Sequence, residues 1–101
     1  MKFLQVAAAA AIGLALAVPA KADEVLKLGM SVVLSGPGAF YGTGAVWTAQ
    51  QAAKAINDAG GIKVGDKTYK VEIVAYDNKY SATHGAKVAQ NLIVRDGIKH
   101  I

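Results

Sequence analysis

The apolar positions change period several times along the chain, and each change predicts an element. Val25 to Leu34 (VLKLGMSVVL) is largely apolar, β-branched toward its end and without clean alternation, and it stops at Ser35-Gly36-Pro37-Gly38. That pattern predicts a strand buried on both faces, as in a parallel sheet. From Ala45 to Asp58 the period becomes helical. At 100° per residue Ala45, Val46, Ala49, Ala52, Ala53 and Ile56 share one arc, with Gln50, Gln51, Lys54 and Asp58 opposite. The helix should close at Ala59-Gly60-Gly61, where glycine can take the left-handed conformation of a C-terminus. Ile62-Lys63-Val64 and Thr68-Tyr69-Lys70 then flank Gly65-Asp66, a pair suited to a tight hairpin whose first turn residue has positive φ. Val71 to Tyr76 reads as a second core strand. A second helix follows with Ser81 as its N-cap. Its predicted inner arc is Ala82, Ala86, Ala89, Leu92 and Ile93, its outer arc His84, Lys87, Asn91 and Arg95, and its end lies near Asp96-Gly97. Ile98 to Ile101 looks like the opening of a third strand.

The order β-α-hairpin-β-α-β, with short connections, predicts an α/β fold in which a three-layer open parallel sheet carries helices on its faces. Such a sheet, ending in an apolar strand, would leave helix faces and a sheet edge uncovered. Residues 23–101 are therefore expected to be the N-terminal, incomplete part of a larger domain. Residues 1–22 have a different character. Lys2 precedes an unbroken apolar run from Val6 to Val18, followed by Ala20-Lys21-Ala22, the small-residue pattern of a signal-peptidase site. The run would be about 20 Å long as a helix, against about 30 Å of bilayer hydrocarbon, so it suits export better than spanning. Cleavage is expected after Ala22, and with no Cys at that point the product is not a lipoprotein. A soluble periplasmic protein follows.

Composition narrows the chemistry. Apolar residues make up 53% of the chain, but only 37 of the 79 residues after Ala22, an ordinary soluble proportion. Lys2 and Lys21 account for half of the net charge of +4, and the remaining +2 is too dispersed for a nucleic-acid binder. Without cysteine there is no disulfide, thiolate metal site or cysteine nucleophile.

The segment Ser35 to Gly44 joins the C-terminal end of the first strand to the first helix, the place where ligands bind in open α/β sheets. Its glycines fail the dinucleotide fingerprint in both registers, because Tyr41 or Trp47 stands at the third glycine position, and no Gly-Lys-Ser/Thr phosphate loop is present. Phe40 and Tyr41 could pack on an apolar ligand, the tyrosine adding one oriented hydrogen bond. Phe40 could equally plug the end of the sheet. Trp47 falls beside Gln51 and Lys54 as covered surface or as a partner contact. His84 lies on a solvated face without a second metal ligand, and Asp77, followed by Asn78, reads as turn chemistry. No nucleophile-and-base set or carboxylate pair can be assembled, so no catalytic, metal or cofactor residue is expected.

Lys27-Leu28-Gly29, Leu34-Ser35-Gly36-Pro37 through Tyr41-Gly42, Ala55-Ile56-Asn57-Asp58-Ala59-Gly60-Gly61-Ile62, Val74-Ala75-Tyr76-Asp77-Asn78, Ala86-Lys87-Val88-Ala89-Gln90 and Asp96-Gly97-Ile98 occur in that order directly behind an export segment. Together they resemble the N-terminus of the branched-chain amino-acid-binding proteins, periplasmic receptors of ABC importers with the type I binding-protein fold. The resemblance runs over essentially all residues after Ala22. It implies part of the first lobe of a two-lobed receptor that closes on a small amino acid or amide without chemistry or cofactor, then docks on a membrane permease. The family's loop tyrosine that packs on the ligand side chain matches Tyr41, and Phe40 and Ser35 are the neighbouring contact candidates. The serine and threonine that hold the ligand's α-carboxylate and α-ammonium in the family come after the third strand, beyond Ile101. Phe40 and Gly38 stand at positions that vary in the family, which leaves the ligand open among branched-chain acids, amides, urea-like compounds and aromatic acids. A sensing domain of a receptor with the same fold is the alternative, and a secreted α/β enzyme a third reading.

Overall fold

The computed structural model describes residues 24–101; the expected export segment, residues 1–22, and the cleavage expected after Ala22 lie outside the described residues. The first apolar run forms β1, Glu24–Val32, and the hairpin sequence forms β2, Ile62–Val64, and β3, Lys67–Asp77. β1 and β3 run parallel, in register from Glu24 opposite Tyr69 to Val32 opposite Asp77. β2 pairs antiparallel with the start of β3, since the two-residue Gly65-Asp66 connection permits no other direction. A parallel bridge between Leu28 and His100 brings the final residues to the free edge of β1. The expected parallel sheet is therefore a mixed one, with the hairpin strand as its antiparallel member.

Two helices cover opposite faces. Helix α1 spans Ala39–Asp58 and helix α2 spans Ala82–Gln90, continued by a π-helical turn over Asn91–Arg95. Successive strand residues point to opposite sides. Val71, against which Ala53 and Asn57 of α1 pack, and Val74 and Tyr76, which join the buried cluster of Val88, Leu92 and Ile98, accordingly define two different faces. Three layers result, as the sequence predicts. β1 is less buried than its composition suggests: Gly29 alone is fully covered, because α1 lies chiefly over β3 while α2 reaches β1 through Leu92.

Both helices keep part of the predicted arc inward and are rotated away from the rest of it. On α1 the covered stripe is Gly42, Val46, Ala49, Ala53 and Asn57, and Ala45, Ala52 and Ile56 are exposed. An arc of small alanines specifies rotation weakly, and contacts at the two ends of the helix decide it instead. At one end a Cβ on Gly42 would stand 1.8 Å from the Val33 carbonyl oxygen, so only glycine allows that approach. At the other, the Asn57 side chain accepts from the Val71 N–H (2.7 Å) and donates to its carbonyl (2.8 Å). β2 begins at Ile62 opposite Tyr69 and pairs no further along β3, and Asn57 continues the pairing along that edge. On α2 and its π turn the predicted Ala89 and Leu92 face inward together with His84, Gly85 and Val88, whereas Ala82, Ala86 and Ile93 are exposed. Leu92 is buried as the predicted arc requires, and the observed rotation exchanges Ile93 for Val88 beside it. His84 is thereby half-buried, its N–H and Nδ1 near the Ser81 hydroxyl (3.4 and 3.3 Å), rather than on a solvated face.

The π turn places Asp96 N–H on Asn91 O (3.0 Å) and ends where Tyr76 donates to Asp96 Oδ2 (2.7 Å). Arg95 donates to the Tyr76 hydroxyl and lies 5.3 Å from its ring centroid. The Tyr76 hydroxyl, and then Arg95, hold the Asp96 carboxyl below the usual carboxylate range. Among the described residues no helix is long and apolar enough to cross a membrane.

Candidate functional site

The parallel strands β1 and β3 end side by side, and the two loops that leave them are joined by side-chain hydrogen bonds. Asp77 Oδ1 accepts the Leu34 N–H (3.0 Å) from the first loop and the Lys79 N–H (2.8 Å) from the second. The Ser35 hydroxyl, followed by these two backbone donors, holds the Asp77 carboxyl below its ordinary range. Asn78 complements it: its N–H donates to Val32 O (2.8 Å), its Nδ2 to Ser31 Oγ (3.2 Å), and its Oδ1 accepts the Tyr80 N–H (2.9 Å). The Asp77-Asn78 pair has the turn chemistry its sequence suggests, and it also fixes the distance between the loops.

Helix α1 begins at Ala39, six residues before the periodic stretch that starts at Ala45, with Gly38 as its N-cap. Glycine disfavours helix by about 1 kcal/mol relative to alanine, which is why Gly42 and Gly44 make this turn read as loop. The close approach to Val33 reverses that preference. Phe40 and Tyr41 therefore stand on the first turn of a helix, not in a loop. They are 82% and 79% exposed, and their rings meet edge to face with centroids 5.5 Å apart. Phe40 does not plug the sheet; with Thr43, Gly44 and Trp47 it lines a shallow apolar groove of about 480 Å³. Ser35 is exposed as well, with its hydroxyl turned to Asp77. A larger hollow of about 610 Å³ lies between the start of β1 and residues 96–100, at the opposite strand end from the one open α/β sheets use for ligands.

Sequence reasoning misses Lys79 and Tyr80. Both have φ of +53°, a region that costs a residue with a side chain on the order of 1–3 kcal/mol, and Tyr80 is 88% exposed. The only signal for them is the preceding Asp-Asn pair, whose side chains cap just such a turn.

A family model described as periplasmic binding protein matches residues 25–101. The chain belongs to the periplasmic binding protein family. The Leu/Ile/Val-binding protein of Escherichia coli (strain K12) is 38% identical over 93 residues, 92% of this chain and 24% of that protein. The Leu/Ile/Val/Thr-binding protein of Salmonella typhimurium (strain LT2) is 40% identical over the same shares. Among solved structures, the branched-chain amino acid transporter substrate binding protein LivJ from Streptococcus pneumoniae, in complex with isoleucine, matches with a TM-score of 0.65 and 35% identity over 73% of this chain and 20% of that one. The α/β architecture with its mixed sheet matches the type I periplasmic binding protein fold, as part of a domain. These relatives are binding proteins by name, not enzymes. The chain spans 24% of the length of the Escherichia coli and Salmonella typhimurium proteins and 20% of the Streptococcus pneumoniae one.

Proposed function

We propose that residues 23–101 form the opening part of the first lobe of a periplasmic substrate-binding component, which captures a branched-chain amino acid or close analogue for an ABC importer and releases it unaltered to a membrane permease. Residues 1–22 serve in this reading as a cleaved export signal. The family match over residues 25–101 carries the proposal, supported at the site by an exposed aromatic pair beside the joined ends of two parallel strands. Tyr41 offers a ring face to the ligand side chain, with Phe40 at its edge. Ser35 shapes the loop through Asp77 and contacts the ligand from its backbone side. Closure of a second lobe would bury the ligand against this wall.

The test is calorimetric titration of the full-length gene product with leucine, isoleucine, valine and small amides. Binding of one or more is expected, and silence across the panel overturns the proposal. Tyr41→Ala should weaken binding by about 1–3 kcal/mol, the worth of covering one such side chain. Unchanged affinity would remove Tyr41 from the site.

A further inference from the structure

The corner at Lys79-Tyr80 has no role in the reading above, and its construction is unusual. Two consecutive residues that carry side chains occupy the left-handed region, where a bulky residue is an outlier. Their backbone has little freedom to relax, because the Asp77 and Asn78 side chains each accept one of their N–H groups. The strain brings no burial in return, since the Tyr80 ring faces solvent. Backbone strain held in place in this way clusters at active sites, ligand clamps and switch regions. The same Asp77 oxygen that holds Lys79 holds Leu34, so the corner is fastened directly to the loop that leads into Tyr41.

We infer that Tyr80 is a specificity-determining residue, the second aromatic wall of the crevice whose first wall is Tyr41, and that it packs on the apolar side chain of a bound amino acid. This rests on the proposed binding function and adds to it a residue on the second loop. A tyrosine ring suits such a wall, since it offers a rigid apolar face to an aliphatic side chain while its hydroxyl stays in water at the rim. Lys79 holds Asp77 through its backbone N–H, with its side-chain charge adding to the attraction.

The experiment exploits the left-handed backbone. Tyr80→Gly removes the ring and relieves the strain at once, so folding is favoured while the wall is lost. In the full-length protein, titrated with L-isoleucine and L-leucine, Tyr80→Gly should raise Kd about tenfold or more while the melting temperature holds or rises. Tyr80→Asn, which also tolerates this region, should show the same loss, and Lys79→Gly should leave Kd within twofold. A Kd within twofold for Tyr80→Gly overturns the inference, as does a melting temperature that falls alongside affinity, which would assign the ring to packing. Weakening by Tyr41→Ala in the same series shows that the binding function stands even if Tyr80 fails. A parent protein silent to leucine, isoleucine, valine and the small amides alike overturns both.

Discussion

Replacing Gly42 with alanine puts a methyl group 1.8 Å from the Val33 carbonyl oxygen and 2.6 Å from its carbon. A carbon and a carbonyl oxygen meet comfortably at about 3.3 Å, so the first turns of α1 must retreat by roughly 1.5 Å. No rotamer change relieves a clash between Cβ and backbone. Forced overpacking of this kind costs about 1–3 kcal/mol or more, whereas exchanging glycine for alanine inside a helix returns about 1 kcal/mol. With a displacement this large the clash prevails, for a net loss of about 1–2 kcal/mol. Gly44 is the control: it lies two residues further along the same helix, and a Cβ there meets nothing within 4 Å. Gly44→Ala should therefore stabilise by about 0.5–1 kcal/mol. Urea unfolding of the full-length protein, followed by far-UV circular dichroism, reads both variants on one scale. The retreat also displaces Tyr41, so Gly42→Ala should weaken ligand binding as well. Equal stability of the two variants, or a more stable Gly42→Ala, would refute the close approach of α1 to β1.

Asn57→Leu should cost about 2–4 kcal/mol, because it strips two hydrogen bonds from the part-buried Val71 backbone and supplies no substitute; a midpoint in urea within error of the parent would mean that water or β2 takes over the pairing. Asp77 has its folded pKa pulled below the ordinary value near 3.8 by Ser35, Leu34 and Lys79, so its stabilisation is complete above that value and disappears as pH falls through the lower folded one. Between about pH 5 and pH 2 the parent should lose more stability than Asp77→Asn, and parallel acid limbs for the two proteins would contradict this. Ser81→Ala removes the acceptor for the His84 N–H and should cost about 1 kcal/mol, read by thermal melting.

Much of this architecture is legible before any coordinates. The strand at Val25, the hairpin about Gly65-Asp66, the helix stop at Gly60-Gly61 and the Ser81 cap each follow from local sequence, and φ of +105°, +91° and +62° at Gly60, Gly61 and Gly65 carries out what those glycines foretell; of the third strand expected from Ile98 the structure forms a single bridge, His100 to Leu28. The same local logic puts Ser35, Phe40 and Tyr41 just past the C-terminal end of β1.

Helix rotation and the true start of α1 are of another kind. Gly42 looks like a helix breaker until the Val33 carbonyl is seen against it, and Asn57 like an ordinary surface amide until β2 proves too short to pair with Val71. Tyr80 gains its interest only once Asp77 is found holding both loops. Local pattern determines which segments become strands and helices, since propensity and capping act over a few residues. Which face each one turns inward, and which loops meet, is decided by contacts between residues dozens of positions apart, whose partners no local period encodes.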